Sequence, residues 1–423
     1  MKIWVVEGFQ KLIVRGINTL AGKAAGILHA PRKPKSPLAD RLLADALRLA
    51  EIPSPTGREE QRASFALERL KALGLSPLVD EEGNILVRVH SSDLENAPPI
   101  LLFTNLGSDR WHPLESLSRL DAENARGAGL ADSLGAAALI SLAEGINCGR
   151  IETSREIIIL FAAGSFDNSD GSFFLPVTGD DANRPVAAIG VRGLSLGRVV
   201  NNSRGIYRMK ISLSLETGSP GKGDGGEGKQ KKADVSAGAF SGLPRAGSGL
   251  VVDALLDTAH KLAGVTWDIE GTTKLYIRHI EAETTFGHTP SEGLLEIQIE
   301  SSDGARLEMA MNTVKATVEN AASGPELRKE ALITSFIPVG DVSVNDKLMR
   351  TVTEIMKEMR VKVQEENGAD VAAHLSAQGI PALSLGIALG REGMTRDTIE
   401  IDSIERGRVL LETLVTRLIR EEP

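Results

Sequence analysis

The stretch that decides the fold is residues 98–139, PPILLFTNLGSDRWHPLESLSRLDAENARGAGLADSLGAAAL. Its apolar run at residues 100–104 predicts a buried β-strand, and ligands bind at the polar exits of such strands in open α/β sheets. Three glycines follow in the loop: Gly127, Gly129 and Gly135. They predict a tight turn that presents Asp132 and Ser133 at the start of an alanine-rich helix. Spacing alone favours a simple N-cap role for either residue.

The composition is that of an ordinary globular protein. The 423 residues are 42% hydrophobic and 25% charged, enough for two or three domains. A net charge of −9 argues against a nucleic-acid binder, so no nucleic-acid partner is expected. The single cysteine, Cys148, excludes an internal disulfide and a cysteine zinc cage, which fits a reducing cytoplasm. No apolar run approaches the roughly 20 residues of a membrane span, so a cytoplasmic location is expected.

Residues 1–35 differ in charge from the rest of the chain. They contain several basic residues and a single acidic residue, Glu7, and their apolar residues follow a helical period. A basic amphipathic arm predicts peripheral contact with an anionic membrane or with a protein partner. Packing of the arm on its own domain is the alternative. Because a proline-rich linker follows, residues 1–37 are assigned to an arm and linker.

The order of predicted elements divides the remaining chain into two domains. Alternating strands and helices predict a mixed or parallel sheet sandwiched by helices over residues 38–200 and 325–423. Between them, residues 201–324 are assigned to an insertion, because the elements predicted from residue 207 to a last strand near 332–337 follow the order β-α-β-β-α-β of a ferredoxin-like domain. Within it, residues 217–249 are rich in glycine and lysine and predict a mobile loop.

Four short motifs occur in a characteristic order: IPSPTGREE at 52–60, DEEGN at 80–84, PPILL at 98–102 and GIPALSLG at 379–386. Together they resemble the aminoacylase, carboxypeptidase and tripeptidase family of co-catalytic zinc exopeptidases, in particular peptidase T. The resemblance extends over nearly all of residues 38–420. It implies an α/β fold with an inserted α+β lid that often forms a homodimer, and hydrolysis of small peptides or acylated amino acids.

The ligand positions implied by this resemblance are degenerate. Two zinc ions need about five histidine or carboxylate ligands and a carboxylate base. The first ligand motif, His-x-Asp, corresponds to Asn105 and Gly107, and an amide and a glycine cannot supply an imidazole and its orienting carboxylate. The bridging aspartate corresponds to Ala131, or to Asp132 if the register shifts by one residue.

The later positions are replaced as well. The paired glutamates that supply the base and a ligand correspond to Ser165 and Phe166, and a phenyl ring can do neither task. The final histidine corresponds to Met394, whose thioether is a poor zinc ligand. An acidic ligand is implied around residues 189–191, where the sequence is apolar, and the lid histidine is replaced within residues 216–220.

These replacements predict a non-catalytic binding protein. No cofactor is expected, and the partner is a small peptide, an amino-acid derivative or a protein. The alternative hypothesis is an active metal-dependent amidohydrolase with a remodelled site, using zinc or another single metal at Asp132 with Asp167 or Asp170. The oxygen-rich loop at residues 164–172 is compatible with a calcium or magnesium site through Asp167, Asn168 and Asp170, although a solvated loop is the simpler interpretation.

Other chemistry stays open at this level. A Ser-His-Asp arrangement would combine Ser133 or Ser165 with His112 and Asp109, although no nucleophile elbow surrounds either serine. The remaining histidines that could act as ligands are His279, His288 and His374. A lone histidine in such positions is more often a surface or packing residue.

Overall fold

The structure is a computed structural model that describes the following residues: 36–55, 57–90, 97–108, 117–164, 172–178, 184–201, 203–215, 250–267, 271–282, 290–320 and 327–420. The predicted arm at residues 1–35 and the predicted loop at 217–249 lie outside these ranges. Among the described residues, none of the helices has the length and apolarity needed to cross a membrane.

The large domain is assembled from elements on both sides of the insertion. Those before it are α1 (Pro37–Glu51), α2 (Glu60–Ala72), β1 (Leu78–Val79), β2 (Ile85–Val89), β3 (Ile100–Asn105), β4 (Arg119–Leu120), β5 (Asn124–Gly127), α3 (Leu130–Asn147), β6 (Ile157–Ala162), α4 (Leu175–Thr178), β7 (Ala187–Leu194) and β8 (Arg198–Val200). The insertion contains β9 (Gly205–Leu215), α5 (Leu250–Ala263), β10 (Thr273–Ala282), β11 (Glu292–Ser301), α6 (Gly304–Glu319) and β12 (Leu327–Ile337). Those after it are α7 (Asp346–Glu358), β13 (Gln364–Glu366), α8 (Ala373–Ser376), β14 (Ala382–Ala388), β15 (Gly390–Arg391), β16 (Asp397–Glu400) and α9 (Ile401–Arg420).

The main sheet is mixed and has the strand order β1-β2-β6-β3-β7-β14-β8-β13. The central strands β6, β3, β7 and β14 are parallel to one another. Their side chains are buried on both faces, because alternate residues of β3 enter different cores: Leu102 packs on the side of α3, and Leu101 and Phe103 pack on the other side. This explains why β3 is an unbroken apolar run, and it confirms the predicted mixed sheet covered by helices.

Helix α3 begins before its alanine-rich run, which starts at Ala136, and spans Leu130–Asn147. Gly129 is the residue before its first turn and has a left-handed φ of 63°. The polar residues that resemble a loop in the sequence therefore form the first helical turn, which faces the carboxyl ends of the central strands.

The inserted domain has the antiparallel strand order β10-β11-β9-β12, with α5 and α6 packed on its sheet. This is the ferredoxin-like order predicted from the sequence. The boundary differs from the predicted 324, because β12 pairs with β9 along its length and extends the domain to Ile337.

Two short strands are not indicated by the sequence pattern. Gln364–Glu366 forms the edge strand β13, parallel to β8. After β14, Gly390–Arg391 forms β15, which joins a small antiparallel sheet of order β15-β16-β5-β4. β13 and β15 are edge strands of three and two residues, too short to show a periodic signal.

Candidate functional site

A pocket of about 190 Å³ lies where the carboxyl ends of β3, β7 and β14 meet the first turn of α3. The polar side chains that line it include Asn105, Asp132, Arg192, Ser195, Arg198 and Glu392. The structure therefore brings together the strand exit and the helix start that the sequence marks as the functional centre. Both signs of charge are present in the lining.

Asn105 closes its own loop. Its Nδ2 donates to the carbonyl of Gly107 at 3.2 Å, and the Gly107 N–H donates to its Oδ1 at 3.1 Å. Both ends of the amide are therefore engaged with the loop that follows β3. Asn105 therefore lines the pocket, but its amide groups stabilise the turn after β3.

A carboxylate from another segment occupies the space beside Gly107. Glu59 Oε1 accepts hydrogen bonds from the N–H groups of Gly57 at 3.0 Å and Gly164 at 3.1 Å. A Cβ built on Gly107 would lie 2.9 Å from this oxygen. The volume in which the resemblance implies an aspartate side chain is thus taken by the buried Glu59.

The first turn of α3 is held by a carboxylate more than 260 residues away in sequence. Asp397, fully buried, accepts a hydrogen bond from the Ala131 N–H at 3.0 Å. Ala131 offers only a methyl group to the pocket, and Asp132 is the carboxylate of this turn that lines it. The negative charge of Asp397 at a helix N-terminus is electrostatically favourable.

Two arginines missing from the sequence-based candidates line the pocket. Arg192, near the end of β7, forms an ion pair with the buried Asp370, which also accepts hydrogen bonds from Ser384 Oγ at 2.8 Å and Ala372 N at 3.0 Å. Arg198, at the start of β8, pairs with Glu366. The resemblance implies an acidic ligand around residues 189–191, one residue before Arg192. These residues lie inside β7, which continues to Leu194.

A tight crossing of the chain positions Ser195 and Arg198. Between β7 and β8 the chain passes over β14 at Gly386, where a Cβ would lie 1.9 Å from the Leu194 carbonyl oxygen. Ser195 adopts a left-handed φ of 69° in this crossing. A non-glycine residue in that conformation stores strain that the surrounding contacts must offset.

Several predicted site residues lie away from the pocket. Met394 is fully exposed and does not line it. Ser133 is buried and its hydroxyl donates to the Gly129 carbonyl at 2.8 Å, a contact inside the helix. His279 lies on the surface 3.1 Å from Glu281.

His374 is buried and packs edge to face against Phe336, with ring centroids 6.1 Å apart. In this geometry His374 packs where α8 meets β12 of the inserted domain. The other candidates lie outside the described residues: Asp109, His112, Ser165, Phe166, Asp167, Asn168, Asp170 and His288.

The donor set of the described residues does not fit a pair of zinc ions. Within the described ranges, no three side chains of histidine, cysteine, aspartate or glutamate form a group that could hold a metal. A guanidinium has five donors and no acceptor, so Arg192 and Arg198 cannot be ligands. The space beside Gly107 is filled by Glu59, and the Asn105 amide is engaged with its own loop.

No protein-family model and no curated protein matches the chain in sequence. Solved structures do match it in fold. A tripeptidase from Staphylococcus aureus aligns with a TM-score of 0.63 at 15% identity, covering 90% of this chain and 99% of that one. The aminopeptidase PepT from Bacillus cereus aligns with a TM-score of 0.62 at 12% identity, with the same coverage of 90% and 99%.

The YxeP protein from Bacillus subtilis, described as a dinuclear metal-binding peptidase, aligns with a TM-score of 0.58 at 13% identity, covering 90% of this chain and 99% of that one. Identities this low show the fold alone. The structural alignments confirm the exopeptidase-like architecture that the four motifs indicated. The chemistry of the pocket has to be argued from its own side chains.

Proposed function

We propose that this chain is a binding protein with an exopeptidase fold that holds a small zwitterionic ligand, an amino-acid derivative or a short peptide, without hydrolysing it. The observation that carries the proposal is the presence of Arg192 and Arg198 in the pocket at the strand exits. The two guanidinium groups line the same pocket as Asp132. Metal-dependent hydrolysis would require metal ligands at these positions.

The lining matches a ligand that carries both charges. Guanidinium groups recognise carboxylates through charge-assisted hydrogen bonds, and the carboxylates of Asp132 and Glu392 accept from an ammonium or amide N–H. The pocket volume of about 190 Å³ favours a ligand of a few residues at most. Few convergent polar groups in a concave site are the usual arrangement for specific small-molecule binding.

The absence of hydrolysis follows from the replaced groups. An amide-hydrolysing metal site of this fold needs a metal to polarise the carbonyl and a carboxylate to activate water. Asn105 is committed to its loop, and Phe166, at the position that the resemblance gives to a ligand or base, has no acidic group. No step of the expected reaction is therefore assigned to these residues.

One observation favours the alternative, an active amidohydrolase with a remodelled site: the Asp132 carboxylate does line the pocket. Metal analysis separates the two. Protein purified without chelators should carry less than about one zinc per chain, and peptide or N-acyl amino-acid hydrolysis should be absent with or without added zinc. About two zinc ions per chain, with a chelator-sensitive hydrolysis, would overturn the proposal.

Ligand binding is tested by calorimetric titration with N-acyl amino acids, dipeptides and free amino acids. Arg198→Met should weaken the binding of a hit by about tenfold or more, because a charge-assisted hydrogen bond is lost. Arg204→Met is the matched control: Arg204 is as exposed as Arg198 and also faces a glutamate, Glu300, but does not line the pocket. Equal losses in the two variants would contradict the assignment of the pocket.

Two interactions expected from the sequence are carried forward as part of the proposal. The small domain forms a homodimer, which sedimentation of the full chain tests: a monomer at all concentrations contradicts it. The arm at residues 1–35 contacts an anionic membrane or a partner. Equal co-sedimentation of full-length and arm-deleted protein with anionic vesicles contradicts the membrane version.

A further inference from the structure

Arg62 is a fully buried cation that interacts electrostatically with Asp132, one of the residues that line the pocket. The residue lies in the first turns of α2, is 1% exposed, and is among the largest buried side chains of the chain. Its Nε donates to the Ile52 carbonyl at 3.1 Å, and its Nη1 donates to the Leu106 carbonyl at 3.0 Å. The guanidinium thus joins the end of α1 to the loop that leaves β3.

The third nitrogen of Arg62 faces the start of α3. Nη2 is buried and has no hydrogen-bond partner within the described part of the chain, and it lies 3.4 Å from a Cβ built on Gly129. The Ser108 hydroxyl, likewise buried without a partner there, lies 2.3 Å from the same point. The end of α1, the loop that leaves β3 and the start of α3 therefore converge on one guanidinium.

A cation is unfavourable in this place unless carboxylates offset it. Burial removes the guanidinium from water, and the N-terminus of a helix carries partial positive charge. Burial lowers the pKa of Arg62 to about 10, while the carboxylates of Asp132 and Glu59 raise it. The group therefore stays charged at neutral pH, with one compensating carboxylate in the first turn of α3 and the other beside Gly107.

We propose that Arg62 is a positioning residue of the pocket: its guanidinium supplies the fixed positive charge and the cross-link that hold Asp132 and the exit of β3 in place. The inference rests on the proposed function, in which the site holds no metal ion. The buried guanidinium of Arg62 then supplies the positive charge that a metal ion would otherwise supply. It assigns a role to the buried Arg62 that ligand contact does not explain, since the residue does not line the pocket.

A double-mutant cycle on the full chain tests the charge coupling. Arg62→Met leaves Asp132 without its cation, so adding Asp132→Asn should recover stability. The folding equilibrium constant of the double variant, measured by chemical denaturation, should be about fivefold larger than the value expected if the effects of the two single substitutions were additive. Arg69→Met is the matched control, because Arg69 lies on the same helix and pairs with Asp45 at 2.8 Å. Asp132→Asn should add to it without coupling.

Arg62→Lys separates charge from packing. Lysine keeps the positive charge and loses the two-carbonyl fork, so Arg62→Lys should be more stable than Arg62→Met. If Arg62→Met does not fold, Asp132→Asn alone decides: it should destabilise the protein, because the buried guanidinium loses a compensating charge.

Additive effects in the cycle, equal losses in the Lys and Met variants, or an Asp132→Asn variant as stable as the wild type would each overturn the inference. Failure of the metal-independence proposal is seen separately, as zinc in the wild-type protein. The two failures are therefore distinguishable.

Discussion

Restoring the aspartate that the family resemblance implies at position 107 should damage the site. In Gly107→Asp the new Cβ would lie 2.9 Å from Glu59 Oε1. The backbone of Gly107 does not have the positive φ that would penalise a side chain, so the cost arises from the two carboxyl groups. Both residues are buried, and solvent cannot screen them well.

Three ways of relieving the conflict can be compared. Two carboxylates about 4 Å apart at an effective dielectric of 20 repel by about 4 kcal/mol. Protonating one of them at pH 7, about three units above its ordinary pKa, also costs about 4 kcal/mol. Moving Glu59 away sacrifices its hydrogen bonds to Gly57 and Gly164, about 1.5–3 kcal/mol each. The variant should therefore lose about 3–4 kcal/mol by whichever route is cheapest.

The assay is urea unfolding at pH 7 with two controls. Gly107→Asn adds a side chain of the same shape without charge, and Glu59→Gln combined with Gly107→Asp removes one of the charges. The Asp variant should be less stable than the Asn variant by the stated amount, and the Glu59→Gln background should recover most of the difference. Equal stability of the Asp and Asn variants would refute the reasoning.

The same reasoning covers metal binding. Asn105→His combined with Gly107→Asp rebuilds the His-x-Asp motif, and it should still not bind zinc, because Glu59 blocks the orienting carboxylate. Metal analysis after dialysis against zinc is the measurement. One tightly held zinc per chain would show that the space is more adaptable than the geometry indicates.

Three further outcomes follow from described contacts. Asp397→Asn keeps the shape of the group that caps α3 at 3.0 Å but removes its charge, and should cost about 1–2 kcal/mol in urea unfolding; an unchanged midpoint would contradict this. Gly386→Ala brings a Cβ to 1.9 Å from a backbone oxygen and should cost about 3 kcal/mol or prevent folding, while Gly304→Ala, in open space, should stay within about 0.5 kcal/mol. A hydrogen bond from Arg408 holds the pKa of Glu405 below its ordinary value of 4.5, so its contribution is present above pH 4.5 and is lost as the pH falls through the lower folded value. In Glu405→Gln the free energy of unfolding should therefore fall less steeply as the pH is lowered below 4.5 than in the wild type. An unchanged pH profile would exclude this contribution.

The sequence predicts the elements whose signal is local. β3 and β6 are continuous apolar runs, and a strand buried on both faces requires such a run. Helix α5 follows its apolar period from Leu250 to Ala263, because its buried face lies on one sheet. The β-α-β-β-α-β order fixes the ferredoxin-like topology, since few arrangements of that order pack well.

The site residues that depend on distant segments could not be predicted in this way. Asp397 and Ala131 are 266 residues apart, and no period in either segment shows that they meet. Glu59 lies next to Gly107 only because the turn before α2 folds against the exit of β3. Arg192 was missed because the resemblance directed the search to an acidic ligand around residues 189–191, and only the structure shows that β7 brings Arg192 to the pocket.

Two glycines outside the four motifs, Gly135 and Gly193, fix how α3 packs on β7, for a reason that is independent of chemistry. Gly135 meets the carbonyl of Val191 at 2.7 Å from a built Cβ, and Gly193 meets that of Ala131 at 1.8 Å. These contacts bring α3 and β7 together through backbone atoms, so the packing requires glycine whether or not a metal is held. The polar side chains of the pocket, such as Asn105, Asp132 and Arg192, are not fixed by that requirement. The packing of α3 on β7 therefore depends on these two glycines, while the reactivity of this chain has to be inferred from the side chains that line the pocket.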